Sequence, residues 1–337
     1  MTAAAIFGCA GTTLSGAEQA FFRKVDPWGF ILFARNIESP DQVRALTAAL
    51  RDSVGRDAPI LIDQEGGRVA RLRPPHWRGW SPALHTAAAI ALGEDERCEA
   101  LRLRYRLIGD ELAAVGIDVN CAPLLDLPIP GAHDIIGDRA LGDTVNTVAM
   151  RGQAVHDGLL DAGILPVIKH VPGHGRAGAD SHLALPRVTT DLATLADTDF
   201  RPFAALADAP LAMTAHIVYE ALDAQACATL SPIVITYIRE TLGLNGLLMS
   251  DDLSMQALEG DFGERTTRSL DAGCDLVLHC NGDMAEMQAV AAALRPLTDA
   301  ARTRSDRALA LRHPPMGDAG EAADRYAELA ARGGFDV

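Results

Sequence analysis

The chain has 337 residues, enough for one large domain or two medium ones at roughly 100–200 residues each. Hydrophobic residues make up 48% and charged residues 22%, a globular balance that excludes a disordered chain. Thirty Lys and Arg against 45 Asp and Glu leave a net charge of −15 with no long basic run, which argues against a nucleic-acid partner and against an anionic membrane surface.

Phe7-Gly8-Cys9 faintly resembles a lipoprotein cleavage box. No Lys or Arg precedes it, and the apolar stretch is too short for a signal, so the expectation is a first buried strand in a cytoplasmic protein. No apolar run approaches the ~18 residues needed to span a bilayer. Near-continuous Val/Ile/Leu/Ala runs at 3–8, 29–34, 59–63, 118–125, 164–170, 211–216, 246–250 and 274–279 predict parallel strands buried on both faces. Helical patterns lie between them, at 39–54, 94–115, 145–162, 192–207, 232–242 and 264–272. Asp41 and Ser231 are the expected N-caps, with Pro232 opening its helix. Gly116, Gly163, Gly243 and Gly273 each close a helix before a strand.

Eight strands alternating with helices predict an α/β fold, a (β/α)8 TIM-like barrel, with a doubly wound open sheet as the alternative. The expected division is a catalytic barrel over 1–297 and a helical extension over 298–337 packed on the same domain. That extension contains a break at 312–318 before a final helix at 321–331. Six cysteines (Cys9, Cys98, Cys121, Cys227, Cys274, Cys280) without a C-x-x-C pair predict buried thiols in a reducing compartment.

Active sites of such barrels lie at the C-terminal ends of the strands. Here those ends are polar: Asp63-Gln64-Glu65 after strand three, Asp126 after four, Lys169-His170 after five, His216 after six, Ser250-Asp251-Asp252 after seven and His279 after eight. The segment 169–182 (KHVPGHGRAGADSH) has three glycines for flexibility and lacks a phosphate-cradling G-x-x-x-x-G-K-[ST] pattern. His170, His174 and His182 raise a metal-site alternative, but Pro172 and the glycines argue against the helix that their spacing would need. Asp180, two residues before His182, can orient the imidazole and favour its protonated form, although such a pair also occurs in solvated turns. One of Asp251 and Asp252 can point into the barrel mouth while the other turns away; the alternative is that both cap the next helix. Only Lys24 and Lys169 among the 30 basic residues are lysine, so a lysine kept inside a buried strand suggests a site where arginine does not serve.

Together, 62–72 (IDQEGGRVARL), 137–142 (GDRALG), 169–182, 213–219 (MTAHIVY) and 249–255 (MSDDLSM) resemble glycoside hydrolase family 3. More narrowly, they resemble its short single-domain bacterial β-N-acetylglucosaminidases, the NagZ type. The resemblance runs from about residue 6 to residue 279 and implies a retaining exo-β-N-acetylglucosaminidase. It assigns Asp251 as nucleophile and His182 as acid/base, oriented by Asp180. Asp63, Arg71, Arg139, Lys169 and His170 are assigned to N-acetylglucosamine in the −1 position. Arg68 and Glu65 are expected to brace the loop, and Asp126 and His216 to stand behind the pocket. Val171 stands where the family often has Phe, and Arg176 and Ala177 lie in the variable part of the loop.

The resemblance implies no metal and no organic cofactor. The expected partner is a small carbohydrate, an amino sugar derived from muropeptides such as N-acetylglucosaminyl-β-1,4-anhydro-N-acetylmuramic acid, in peptidoglycan recycling. The rival readings are another glycosidase, a phosphorylase, a non-catalytic sugar-binding barrel, and an aldolase forming a Schiff base through Lys169.

Overall fold

The apolar runs become strands with almost no exposed residue, as expected where both faces are covered. In the computed structural model, which describes residues 1–131, 134–178 and 185–336, eight strands form one closed parallel barrel. They are β1 (Ala3–Gly8), β2 (Pro27–Leu32), β3 (Ile60–Ile62), β4 (Val119–Asn120), β5 (Leu165–Val171), β6 (Leu211–Thr214), β7 (Leu247–Asp252) and β8 (Leu276–His279). They pair in chain order, and β8 closes on β1 through Ile6 opposite Leu278. The closed order decides for the barrel over the open sheet.

β4 is shorter than expected. Pro123 has no N–H to give its neighbour, so regular pairing stops at Asn120. Contact resumes through the Leu125 N–H on the Lys169 carbonyl (2.8 Å) and the Lys169 N–H on the Pro123 carbonyl (3.1 Å). Register slips by one residue late in β5, between Ile168 and Val171, and late in β7, between Met249 and Asp252. An extra residue re-aims the side chains around it, and these are the places where Lys169, His170 and Asp251 leave the barrel.

The helices follow their local chemistry. Ser39, not Asp41, caps the helix Pro40–Val54: its side chain accepts from Gln42 N–H, Pro40 takes the first helical position, and Asp41 falls in the first turn. Ser231 caps Pro232–Thr236 as expected, and the chain then widens into a π-helical turn over Tyr237–Thr241. The single helix expected at 192–207 is two, Leu192–Asp197 and Arg201–Ala205. Pro202 lacks the N–H that a continuous helix would need and would clash with the carbonyl four residues back. Two helices went unanticipated, Gly16–Val25 and Ala83–Ala87.

Behind the barrel, the helix Asp299–Leu309 buries Ala301, Ser305 and Ala308, and Trp28 Nε1 donates to Ser305 Oγ at 2.7 Å. The last helix, Ala319–Gly333, buries Tyr326 and Leu329, while Arg325 pairs with Glu99 on the helix Glu94–Ala113. The six cysteines are free thiols, five of them buried. Among the described residues no helix is long and apolar enough to cross a membrane.

The helices Glu94–Ala113 and Val145–Asp161 touch through two glycines. A Cβ on Gly158 would sit 2.1 Å from the Arg102 carbonyl oxygen, and one on Gly109 would sit 2.4 Å from Ala162 Cβ. The carbonyl belongs to a helix backbone and cannot rotate aside. Gly158→Ala is therefore expected to lower stability by about 1–3 kcal/mol despite its better helix propensity. Gly16→Ala, which meets nothing within 4 Å, serves as the control and should be neutral or stabilising. Urea unfolding of the two variants checks this.

Candidate active site

The loop after β3 is folded by its own second residue, Gln64. Gln64 Oε1 accepts from the N–H groups of Arg71 (2.7 Å) and Leu72 (3.1 Å), and Gln64 Nε2 donates to the Leu72 carbonyl (2.9 Å). Asn120 on β4 exchanges two hydrogen bonds of 3.0 Å with the Gln64 backbone. Gly66 and Gly67 make the tight turn with φ of 99° and 56°. A Cβ on Gly66 would lie 2.7 Å from the Ser81 carbonyl oxygen. The result returns Arg71 to Asp63 and points Glu65 back across the barrel mouth.

Five charges then line up in alternation. Arg71 Nη2 lies 3.3 Å from Asp63 Oδ2, and Asp63 Oδ1 lies 2.8 Å from Lys169 Nζ. Lys169 Nζ also lies 2.7 Å from Glu65 Oε1, and Glu65 receives Arg139 through both oxygens, at 2.8 and 2.9 Å. Lys169 is 3% exposed at its side chain and Glu65 5%, so these ions are held out of water. Burial alone would discharge them, but their neighbours outweigh it. Lys169 and then Arg71 draw the Asp63 carboxyl below its ordinary range, while Arg139 and then Lys169 hold Glu65 well below its own. In return, Asp63 and Glu65 raise Lys169 above the usual lysine value. All stay ionised near neutrality.

Asp126 is wholly buried and organises the next strand end. Its carboxylate accepts from His170 Nδ1 (2.7 Å), from His170 N–H (3.2 Å) and from His174 N–H (2.6 Å). The His170 and His174 rings meet edge to face at 5.5 Å. Burial, then His170, push the His174 imidazole down to about 4, so it is neutral at pH 7. Further along, Arg176 pairs with buried Asp199 at 2.7 Å, and Ala177 is fully buried.

A cavity of about 300 Å³ is lined by Asp63, Arg68, Arg71, Arg139, Lys169, His170, Asp251 and Asp252, with Phe33, Met213, Met255 and Cys280 among the apolar contributors. β3 and β7 stand four places apart in the ring of eight, so Asp63 and Asp251 reach this cavity from opposite strands. Asp252 N–H donates to Asp251 Oδ1 at 2.8 Å. The Asp252 carboxylate is engaged by Ser254 N–H, Ser254 Oγ and Cys280 N–H. Neither aspartate caps the following helix; Asp261 does.

The six sugar-facing residues expected from the sequence and described here, Asp63, Arg71, Arg139, Lys169, His170 and Asp251, thus share one cavity. Asp180 and His182 lie outside the described residues. Three polar strand ends do not reach the cavity. Asp126 stands behind it, holding His170 and His174. His216 is fully buried, and His279 turns to Glu286 (3.0 Å) between Phe7 and Phe262. Glu65 and Arg68 brace the rim: Arg68 donates to the carbonyls of Asp134 and Ile135 and pairs with Asp138, and Glu65 ties two cations. Sequence reasoning missed Phe33, over which the Arg71 guanidinium lies at 5.3 Å. It was findable as the aromatic residue that follows β2 at the same rim.

A model described as "Glycosyl hydrolase family 3 N terminal domain" matches residues 15–309. The chain belongs to glycosyl hydrolase family 3. It is an enzyme, a glycoside hydrolase. A beta-hexosaminidase of Methylococcus capsulatus is 38% identical over 82% of this chain and 82% of its own length, and one of Alkalilimnicola ehrlichii is 38% identical over 87% and 84%. Among solved structures, NagZ from Neisseria gonorrhoeae in complex with N-trifluoroacetyl-D-glucosamine superposes with a TM-score of 0.86 at 27% identity, over 98% of both chains. A family 3 beta-N-acetylglucosaminidase from Paenibacillus superposes with a TM-score of 0.78 at 30% identity. It covers 99% of this chain, which spans 62% of that longer protein. The single-domain size fits the NagZ type.

Two outcomes follow from the charges. Glu65→Gln leaves Lys169 and Arg139 without their shared anion and should cost about 3–5 kcal/mol at pH 7. The folded carboxyl sits below its ordinary value, so the unfolded chain takes up the proton first, and this stability is lost as pH falls below about 4.3. The gap between wild type and variant in urea unfolding should therefore narrow under acid. For His174 the folded ring stays neutral down to about pH 4 while the unfolded ring protonates near 6.5. Stability should thus fall from pH 6.5 toward 4, by up to about 3 kcal/mol for this residue. His174→Gln should flatten that part of the wild-type profile.

Proposed function

We propose that the chain is a retaining exo-β-N-acetylglucosaminidase that removes terminal β-linked N-acetylglucosamine. The observation that carries this reading is that Asp251 shares a monosaccharide-sized cavity with a fixed set of donors and acceptors. Lys169 and the arginines donate to sugar hydroxyls, and Asp63 accepts from them. The names of the relatives, beta-hexosaminidase and NagZ, support the amino sugar as the glycone.

In the proposed mechanism an Asp251 oxygen bonds to the anomeric carbon as the glycosidic C–O bond breaks, and His182, oriented by Asp180, gives its proton to the leaving oxygen. Water then attacks the same carbon, its proton passes to His182, and Asp251 departs with configuration retained. The aglycone is proposed to be an anhydro-muramic acid unit, with or without its peptide, which would place the enzyme in peptidoglycan recycling in the cytoplasm.

Release of 4-nitrophenol from the β-N-acetylglucosaminide and from the β-glucoside tests this. Wild type should turn over the N-acetyl sugar and barely touch the glucoside. Asp251→Asn should lower kcat by roughly 10³-fold or more with little change in thermal stability. Turnover of neither sugar, or release that requires phosphate, would defeat the proposal.

A further inference from the structure

Three buried side chains beside the cavity, none of them lining it, form an unbroken hydrogen-bonded line. Thr214 Oγ1 lies 2.7 Å from Thr229 Oγ1, Thr229 Oγ1 lies 2.8 Å from His216 Nδ1, and His216 Nε2 lies 3.0 Å from the Asp252 carbonyl oxygen. All three residues are fully buried.

The direction of each bond can be deduced. A carbonyl only accepts, so His216 Nε2 carries a hydrogen. Burial holds the imidazole below its ordinary value, so the ring is neutral at pH 7 and Nδ1 offers a lone pair. Thr229 donates to that lone pair; its other contact, the Ala215 carbonyl at 3.2 Å, is longer and competes for the same hydrogen. The Thr229 oxygen in turn receives the hydrogen of Thr214. The line runs in one direction and ends on the backbone of Asp252.

That backbone needs holding. Regular pairs of β7 with β6 end at Met249, and those with β8 step from Met249 to Asp252, so the register shifts just where Asp251 leaves the barrel. Asp252 is fixed from two sides. Its carboxylate is held by Ser254 and by Cys280 N–H, and its carbonyl by His216. The Asp252 N–H then donates to Asp251 Oδ1. An apolar side chain would fill the same space without the cost of burying an imidazole, so packing alone does not call for histidine here.

We propose that His216 is a positioning residue for Asp251: by anchoring the Asp252 carbonyl it holds in place the residue whose N–H, on the preceding peptide unit, aims the nucleophilic carboxylate. The part concerning turnover rests on the glycosidase reading above. A shift of about 1 Å at a reacting group can cost about 100-fold in rate, and that is the effect expected here.

The test uses His216→Phe, which fills the space but cannot donate, His216→Gln, whose amide can reach the same carbonyl, and Thr229→Val. His216→Phe should lower kcat about 100-fold on the aryl N-acetylglucosaminide while KM stays within threefold. His216→Gln should recover at least tenfold of that loss with both limbs of the pH profile unmoved. Thr229→Val should lower kcat with KM unchanged, which keeps the test open should His216→Phe not fold. A second readout is independent of turnover. In ¹³C-carboxyl-aspartate-labelled protein, the Asp251 signal, assigned through Asp251→Asn, should move in His216→Phe and return in His216→Gln. A folded His216→Phe with wild-type kcat, equal losses in the Phe and Gln variants, a KM that changes as much as kcat, or an unmoved Asp251 signal would each overturn the proposal. Absence of any wild-type turnover would defeat the glycosidase reading instead, and the Asp251 signal would still decide the role of His216.

Discussion

The rim of the barrel rests on the alternating row Arg71, Asp63, Lys169, Glu65 and Arg139. Removing one such ion from water without a partner would cost several kcal/mol. In the row every charge has an opposite neighbour within 3.3 Å, and the interior members have two. Three cations against two anions leave one excess positive charge. The order is also a constraint on the chain. Asp63 and Glu65 follow β3, Lys169 ends β5 and Arg139 follows β4. The row can close only when three successive strand ends and two loops have arrived together. A cavity wall built this way is assembled by folding, before any ligand binds, which is preorganisation.

The other side of the cavity obeys a different rule. β7 supplies Asp251 at a point where its register against β8 shifts, and hydrogen bonds among Asp252, Ser254, Cys280 and His216 hold the chain beside it. The closed ring keeps the two walls in place. Because β3 and β7 stand opposite one another, neither can approach or retreat without the whole barrel changing tilt, and a filled barrel resists that. The short loops need only fine adjustment: Gln64 does it after β3, and Asp126 does it after β5.

The fold was legible because its signal is repetitive. All eight barrel strands lie within a residue or two of their expected starts, since eight near-continuous apolar runs punctuate the chain and helix-closing glycines announce four of them. What failed was local. Pro202 divides a helix whose apolar pattern continues across it, and Pro123 shortens β4 although the run 121–125 is apolar throughout. In the site, the polar strand ends were visible but their directions were not. Successive residues point to opposite faces, and a one-residue slip reverses them; nothing in the sequence marks the slips near Lys169 and Asp251. For that reason His279 resembled a rim residue and faces Glu286. Phe33 carries no charge and reads as the end of an apolar run, although it gives the cavity an apolar face.

The two lysines show how composition and geometry inform each other. Lys24 is exposed in the last turn of a surface helix, where arginine would do as well, so the rarity of lysine says nothing there. Lys169 is different. Its Nζ sits between two carboxylates at 2.7 and 2.8 Å, in space almost closed to water. A guanidinium is larger and planar, and it spreads its donors in a fixed fork. It would have to displace Glu65 from Arg139, which already uses both Glu65 oxygens, or push Asp63 from Arg71. A compact ammonium with three rotatable donors meets both carboxylates without disturbing either arginine. In a chain that otherwise uses arginine almost everywhere, the buried lysine marks the place where the charge must be small.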